Sequence, residues 1–311
     1  MHFGEEGNAG FVRPELVRLA VDRLRARGAQ PFLCDTNTLY RGRRTRSEDH
    51  LLLASEHGFT PKRAGAKVVI PDDSRPENVL TVRPRGRWIE TAKIVKAFAD
   101  AGGLLGIAHF KGHLVSGFGG ALKNVGMGCA SREGKLAQHS TASPVINREL
   151  CTACGACVPA CPVGAIRLGE GASILDSALC TGCASCLAVC ESGALQADWA
   201  SGGRTLQEKM VEYAKAVLDL QRGRCAFVNF CVKITAECDC LAKDDPRICP
   251  DVGILASQDP VALDQACLDA TVKAAGSDVF EAAHPGRGGE RQLVHAESLG
   301  LGLRAYELSE V

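Results

Sequence analysis

The chain has 311 residues, 46% of them hydrophobic, and its 36 lysines and arginines balance 36 aspartates and glutamates. That is enough apolar material for a real core in one large domain or two ordinary ones. A net charge of zero argues against nucleic acid or an acidic membrane surface as the main partner, and no apolar run approaches the roughly 20 residues of a membrane helix.

Residues 14–27 carry apolar side chains at helical spacing, opened by Pro14 and closed by Gly28. Residues 30–34 read as a short buried strand, and 47–56 as a helix capped by Ser47. Strands are expected at 66–70 and 79–82, a helix at 91–100 and a buried strand at 103–109. A glycine-rich stretch then leads into a helix near 120–126. After residue 198 come an amphipathic helix at 205–221, a strand at 225–234 and a helix opened by Asp259 and Pro260. Strands alternating with helices predict an α/β fold, with a mainly parallel sheet covered by helices on both faces.

The alternation breaks at about residue 147. Cysteines then recur at fixed spacing, so residues 147–197 read as a small insert, and 1–146 with 198–311 as one discontinuous host domain. The insert repeats itself. Cys151-x-x-Cys154-x-x-Cys157-x-x-x-Cys161-Pro162 is echoed by Cys180-x-x-Cys183-x-x-Cys186-x-x-x-Cys190-Glu191. Three cysteines two residues apart wrap one corner of a cubane, and the fourth must arrive from elsewhere. In the two-cluster ferredoxin pattern the last cysteine of each run ligates the other cluster. The spacing therefore predicts two [4Fe–4S] clusters, one on Cys151, Cys154, Cys157 and Cys190, the other on Cys161, Cys180, Cys183 and Cys186. Zinc has no use for the third cysteine of each run. The chain has 16 cysteines and opens on the polar segment MHFGEEGNAG. A cytoplasmic setting with thiols reserved for metal and redox work is the expectation.

Polar clusters in the host follow its strands: Asp35 to Thr38, His109 to His113, and Thr235 to Cys240. The carboxyl ends of parallel strands share one edge, where sites form. His109, Lys111, His113 and Lys123 are the candidates for catalysis. Cys238 and Cys240, with Cys249, His109 and His113 at hand, could hold a third metal centre such as zinc, iron or nickel; Cys129 and His139 are weaker candidates. Cys34, Cys225, Cys231 and Cys267 read as core. The basic run at residues 41–46 reads as a solvated loop. Residues 117–128 (GFGGALKNVGMG) could cradle an anion at a helix start but match no nucleotide motif.

His2-Phe3-Gly4-Glu5, Asp35-Thr36-Asn37-Thr38-Leu39-Tyr40, His109-Phe110-Lys111-Gly112-His113, Gly119-Gly120-Ala121-Leu122-Lys123-Asn124, Cys238-Asp239-Cys240 and the segment 251–256 (DVGILA) together resemble the DUF362 family of 4Fe–4S-binding proteins. The resemblance covers nearly the whole chain and implies a cluster-binding protein whose host segments share one site; it supplies no reaction. Family members begin with a further strand and helix before the His-Phe-Gly-Glu segment. Met1 falls at the end of where that strand would lie, which implies a start placed too late or a sheet without that edge strand.

Three functions fit these residues. The first is an oxidoreductase whose clusters feed a host site. The second is a non-catalytic carrier that docks a redox partner protein. The third is a metal-cofactor assembly factor. Electron transfer is the expectation common to them, and no flavin or nicotinamide motif is visible.

Overall fold

The computed structural model of the protein describes residues 1–39, 42–139, 144–180, 185–196 and 204–310. The first flank opens with helix α1 (Pro14–Arg25), strand β1 (Leu33–Cys34), helices α2 (Ser47–Glu56) and α3 (Pro61–Ala64) and strand β2 (Val68–Val69). β1 and β2 pair in parallel. A hairpin-like pair follows, β3 (Val79–Val82) against β4 (Ala92–Val95), and the chain turns directly into α4 (Lys96–Asp100). The expected single helix over 91–100 is thus a strand and a short helix. Thr81 and Val82 of β3 face Lys93 and Ala92 across the ladder, and tertiary pairing overrides local propensity there. The α2 range matches the expectation, but Arg46 stands at the cap position and Ser47 is the first helical residue, its hydroxyl accepting from Asn37.

Strand β5 (Leu104–His109) is the first central strand, followed by β6 (Lys111–His113), β7 (Gly117–Gly119), α5 (Ala121–Gly128) and α6 (Arg132–His139). The cysteine segment contains β8 (Val145–Ile146), α7 (Cys157–Ala160), β9 (Ile166–Leu168), β10 (Ser173–Leu175), α8 (Ser185–Ala188) and β11 (Leu195–Gln196). The second flank supplies α9 (Arg204–Gln221), β12 (Cys225–Cys231), β13 (Gly253–Ser257), α10 (Pro260–Ala275), α11 (Val279–Ala283) and α12 (Arg291–Ser298). Asp259 caps α10 as expected, accepting from the amides of Val261 and Ala262.

The central sheet has three strands in the order β13-β12-β5. β12 runs parallel to β5 but antiparallel to β13. A mainly parallel sheet is not what forms among the described residues. Parallel pairing is confined to β1–β2 and β5–β12; the remaining pairs are antiparallel. The physical reason is local. β13 returns from β12 through a loop with no crossover helix, and only a crossover can bring the next strand back in parallel.

Helices do cover both faces. Ile107 and Phe230 join Val17 and Val21 of α1, Ala54 of α2 and Ala64 of α3 in one core. On the opposite face Phe227 and Cys231 pack with Leu122 and Val125 of α5, Val217 of α9 and Cys267 of α10. Alternate residues of β5 and β12 thus enter different cores, the period of two that a pleated strand imposes. α5 and α9 approach closely at Gly126, where a Cβ would stand 2.2 Å from the Met210 carbonyl oxygen.

The cysteine segment has its own small core, built from Cys157, Ile166, Cys186, Leu187 and Leu195 together with Leu39 and Leu136 of the host. Val145 and Ile146, just before the expected insert, pair with β11. No helix among the described residues is long and apolar enough to cross a membrane.

Candidate functional site

A pocket of about 490 Å³ opens at the carboxyl ends of β1, β5 and β12. The three polar clusters expected to converge do so: Asp35, Thr36 and Thr38 after β1, Lys111 and His113 after β5, and Glu237, Cys238 and Cys240 after β12 all line it. Lys123 and Asn124 enter from α5, and His2 from the N-terminal segment. The remaining wall is largely apolar, with Leu39, Leu114, Met127, Leu206 and Met210.

Cys238 and Cys240 sit on a tight turn closed by the Leu241 amide, which donates to the Cys238 carbonyl at 3.1 Å. Asp239 points the other way. Its Oδ1 lies 2.7 Å from Nδ1 of buried His109, and its Oδ2 3.7 Å from Nζ of Lys111. The next segment upstream is tied down as well: the Gly112 amide donates to the Thr235 carbonyl at 2.8 Å, and the His284 ring bonds the Ala236 carbonyl. His109 therefore stands behind the turn rather than in the pocket, and its other nitrogen meets the carbonyls of Val232 and Lys233.

One ring nitrogen of His113 and the sulfurs of Cys238 and Cys240 lie within 4.8 Å of one another. Of the third-metal candidates these three are brought together. Cys249 is not: it is buried in the core between β12 and the flanking helices. Cys129 lies buried at the end of α5, where desolvation pushes its thiol well above the ordinary value. His139 lines the pocket, and burial draws its ring down to about 3. Burial also holds His113 well below its ordinary value, so the ring is neutral. Its Nδ1 accepts the amides of Val115 and Ser116, both at 3.1 Å, which places the ring's own proton on Nε2.

Lys123 Nζ stands 3.8 Å from the Cys238 sulfur. The Cys240 thiol hydrogen-bonds Cys238, which draws Cys238 well below the ordinary thiol range despite burial and pushes Cys240 well above it. Cys238 is the thiolate of the pair. Lys135, from α6, donates to Thr36 Oγ1 at 2.6 Å and to the Asn37 carbonyl at 2.5 Å, and burial lowers its ammonium to about 8.

The basic run of residues 41–46 is not simply solvated. Arg44 is 2% exposed, bonded to Glu5 at 3.0 Å and to the His2 ring at 2.7 Å, and lines the pocket. Arg46 is exposed, and Arg43 is partly exposed and paired with Glu56. The glycine-rich helix start is also filled from inside: Asp264 accepts the Ala121 and Leu122 amides at 2.7 and 2.9 Å. Any anion-binding role for that segment is taken by this buried carboxylate. Tyr40 and Arg41 lie outside the described residues.

In the cysteine segment, Cys151, Cys154 and Cys157 of the first run and Cys190 of the second line one small cavity. Ala153 (φ 53) and Gly155 (φ 76) take left-handed conformations that curl the loop between them. Backbone amides point at the sulfurs: Ser173 to Cys151 at 3.4 Å, Ala165 to Cys161 at 3.2 Å, and Leu195 to Cys190 at 3.4 Å. The hydrogen bond from the Ser173 amide leads the effects that lower the Cys151 thiol. Of the second set Cys161, Cys180 and Cys186 are described and carry no disulfide; Cys183 lies outside the described residues. Cys34, Cys231 and Cys267 are buried in apolar surroundings as expected, and Cys225 is partly buried.

Leu39 belongs to both regions. It lines the pocket and packs in the core of the cysteine segment, as a wall common to the two.

No curated protein matches the chain. Among solved structures it is similar to the lactate racemase apoprotein from Thermoanaerobacterium thermosaccharolyticum at 15% identity and a TM-score of 0.43, over 82% of this chain and 45% of that one. It is also similar to a structural-genomics protein from Thermotoga maritima at 12% identity and a TM-score of 0.33, over 86% and 59% of the two chains. The chain thus spans less than two thirds of the length of either. A family model described as a domain of unknown function, DUF362, matches residues 1–269. That match runs through the first flank, the cysteine segment and most of the second flank, and the chain belongs to the DUF362 family.

Proposed function

We propose that the protein is an iron–sulfur electron-transfer protein with a ferredoxin-type insert, and that its host pocket is the redox site the insert serves. Cys151, Cys154, Cys157 and Cys190 would hold one [4Fe–4S] cluster, and Cys161, Cys180, Cys183 and Cys186 the other. The observation that carries this reading is the shared cavity, into which three cysteines of one run and the last cysteine of the other converge. A cross-ligated two-cluster module would need such a convergence.

The donor set fits the group. Thiolates are the ligands such clusters need, and backbone amides already point at Cys151, Cys161 and Cys190; amide hydrogen bonds to cluster sulfurs also tune potential. When bound, the clusters supply reversible one-electron transfer. Cys154 is exposed, so its side of the segment is open to a donor or acceptor protein.

A pocket with Lys123, His113 and a stabilised Cys238 thiolate is superfluous in a plain carrier, and it favours an oxidoreductase. Leu39 makes the two regions neighbours. Lys123 and Lys135 give the pocket positive charge to hold an anionic substrate and a source of protons.

The test is elemental. Anaerobically purified protein is expected to carry about eight iron and eight acid-labile sulfide per chain. Cys154→Ser should lose one cluster's signal while circular dichroism shows the host still folded. Protein that keeps no labile sulfide after anaerobic reconstitution would overturn the reading.

A further inference from the structure

Among the described residues, Cys238 and Cys240 are the two cysteines that line the host pocket, and their turn holds both sulfurs toward it. Residues two apart in a tight turn fall within the roughly 4.4–6.8 Å Cα separation that a disulfide spans. The surroundings suit sulfur chemistry more than metal binding. His113 has its Nδ1 engaged by two backbone amides, so the ring offers the sulfurs an N–H and no free lone pair. Among the described residues Lys123 makes no salt bridge; its ammonium lies against the Cys238 sulfur, and the Asp239 carboxylate acts on it only from farther away.

We propose that Cys238 and Cys240 form a thiol–disulfide couple in the pocket, and that this couple is the redox site to which the cysteine module delivers electrons. The second half rests on the electron-transfer reading above; the couple itself does not. Reduction breaks the Sγ–Sγ bond with two electrons and one proton. Cys238 leaves as a thiolate opposite the Lys123 ammonium, and Cys240 takes the proton and hydrogen-bonds to it. Clusters held by the module's two cysteine sets would each supply one electron, so two single donors would match one two-electron acceptor. Lys123 stabilises only the reduced form, which makes the disulfide easier to reduce.

The experiment equilibrates the full-length, cluster-loaded protein in glutathione buffers of graded ratio, quenches with an alkylating agent and reads Cys238 and Cys240 by peptide mass. One reversible disulfide between them is expected. Lys123→Met should shift the equilibrium toward disulfide on the order of tenfold, about 30 mV for a two-electron couple, and Lys123→Arg should restore it. Two cysteines that stay alkylatable at every ratio would overturn the proposal. So would both being shielded by one equivalent of tightly held zinc. A second arm compares disulfide reduction after photochemical reduction of the wild type and of Cys154→Ser. Equal rates would leave the couple standing and refute its supply by the module.

Discussion

Asp239 lies 2.7 Å from His109 through a buried carboxylate–imidazole contact, and this pair fixes the turn that carries Cys238 and Cys240. The turn places Asp239 on one side and the two thiols on the other, so a single loop both anchors itself and arms the pocket.

Asp239→Ala would leave His109 and Lys111 without their buried partner. Loss of one member of such a pair costs about 3–5 kcal/mol, readable by chemical denaturation. Burial alone would raise the Asp239 carboxyl, but His109 and Lys111 outweigh it and hold it well below the usual carboxylate range. A depressed folded value means stability that is present above the unfolded value of roughly 3.9 and lost as pH falls below it. The wild type should therefore lose stability on acidification, and the variant should lose less.

At Lys135 the fold disfavours the charged form instead, so stability again rises with pH but in an alkaline window. Its ammonium is lowered to about 8 by burial, against roughly 10.4 in an unfolded chain. Below pH 8 the folded state carries the full cost of a buried charge, and that cost fades as pH rises toward 10.4. Lys135→Met is expected to stabilise the protein at pH 7 by on the order of 1 kcal/mol, after loss of its hydrogen bonds to Thr36 and Asn37. Denaturation midpoints measured between pH 7 and 10 should rise less steeply for the variant.

Gly112→Ala tests how rigidly the turn is held. A Cβ there would stand 2.3 Å from the Ala236 carbonyl oxygen and 3.0 Å from that of Thr235. Both are backbone atoms, so the segment leading to Cys238 must move. Overpacking of this kind costs about 1–3 kcal/mol, and a lower melting temperature should accompany a changed alkylation rate at Cys238.

Cross-ligation in the cysteine segment can be read by pairwise comparison. Cys190→Ala should perturb the same paramagnetic signal as Cys151→Ala, although the two residues belong to different runs. Cys161→Ala should instead match Cys186→Ala. Electron paramagnetic resonance of the reduced proteins decides it: a Cys190→Ala spectrum that matches Cys186→Ala refutes the cavity assignment.

Local signals were good guides wherever the chain decides locally. Asp259 and Pro260 announce α10, Pro14 announces α1, and the strand expected at residues 79–82 coincides with β3. The convergence of three loops on one pocket followed from strand ends alone. What stayed hidden depends on partners far along the chain. Arg44 is buried because Glu5 and His2 reach it from 39 and 42 residues away, and nothing near residue 44 signals that. Residues 92–95 become a strand only because β3 offers a ladder. β13 reverses the sheet because the loop before it contains no helix, and the family segment at 251–256 carries no periodicity that says so. Lys135 sits on α6, an eight-residue and largely polar helix that lacks a clear apolar stripe.

Leu39 makes the cysteine segment and the pocket structurally inseparable, since one side chain is shared between a wall of the cavity and the packing beneath the thiols. Grafting a foreign ferredoxin insert into this host would therefore fail unless the newcomer carried a socket for Leu39. Damage that loosens the insert, such as oxidation of its thiols, would be felt in the host as a leak of water into the pocket.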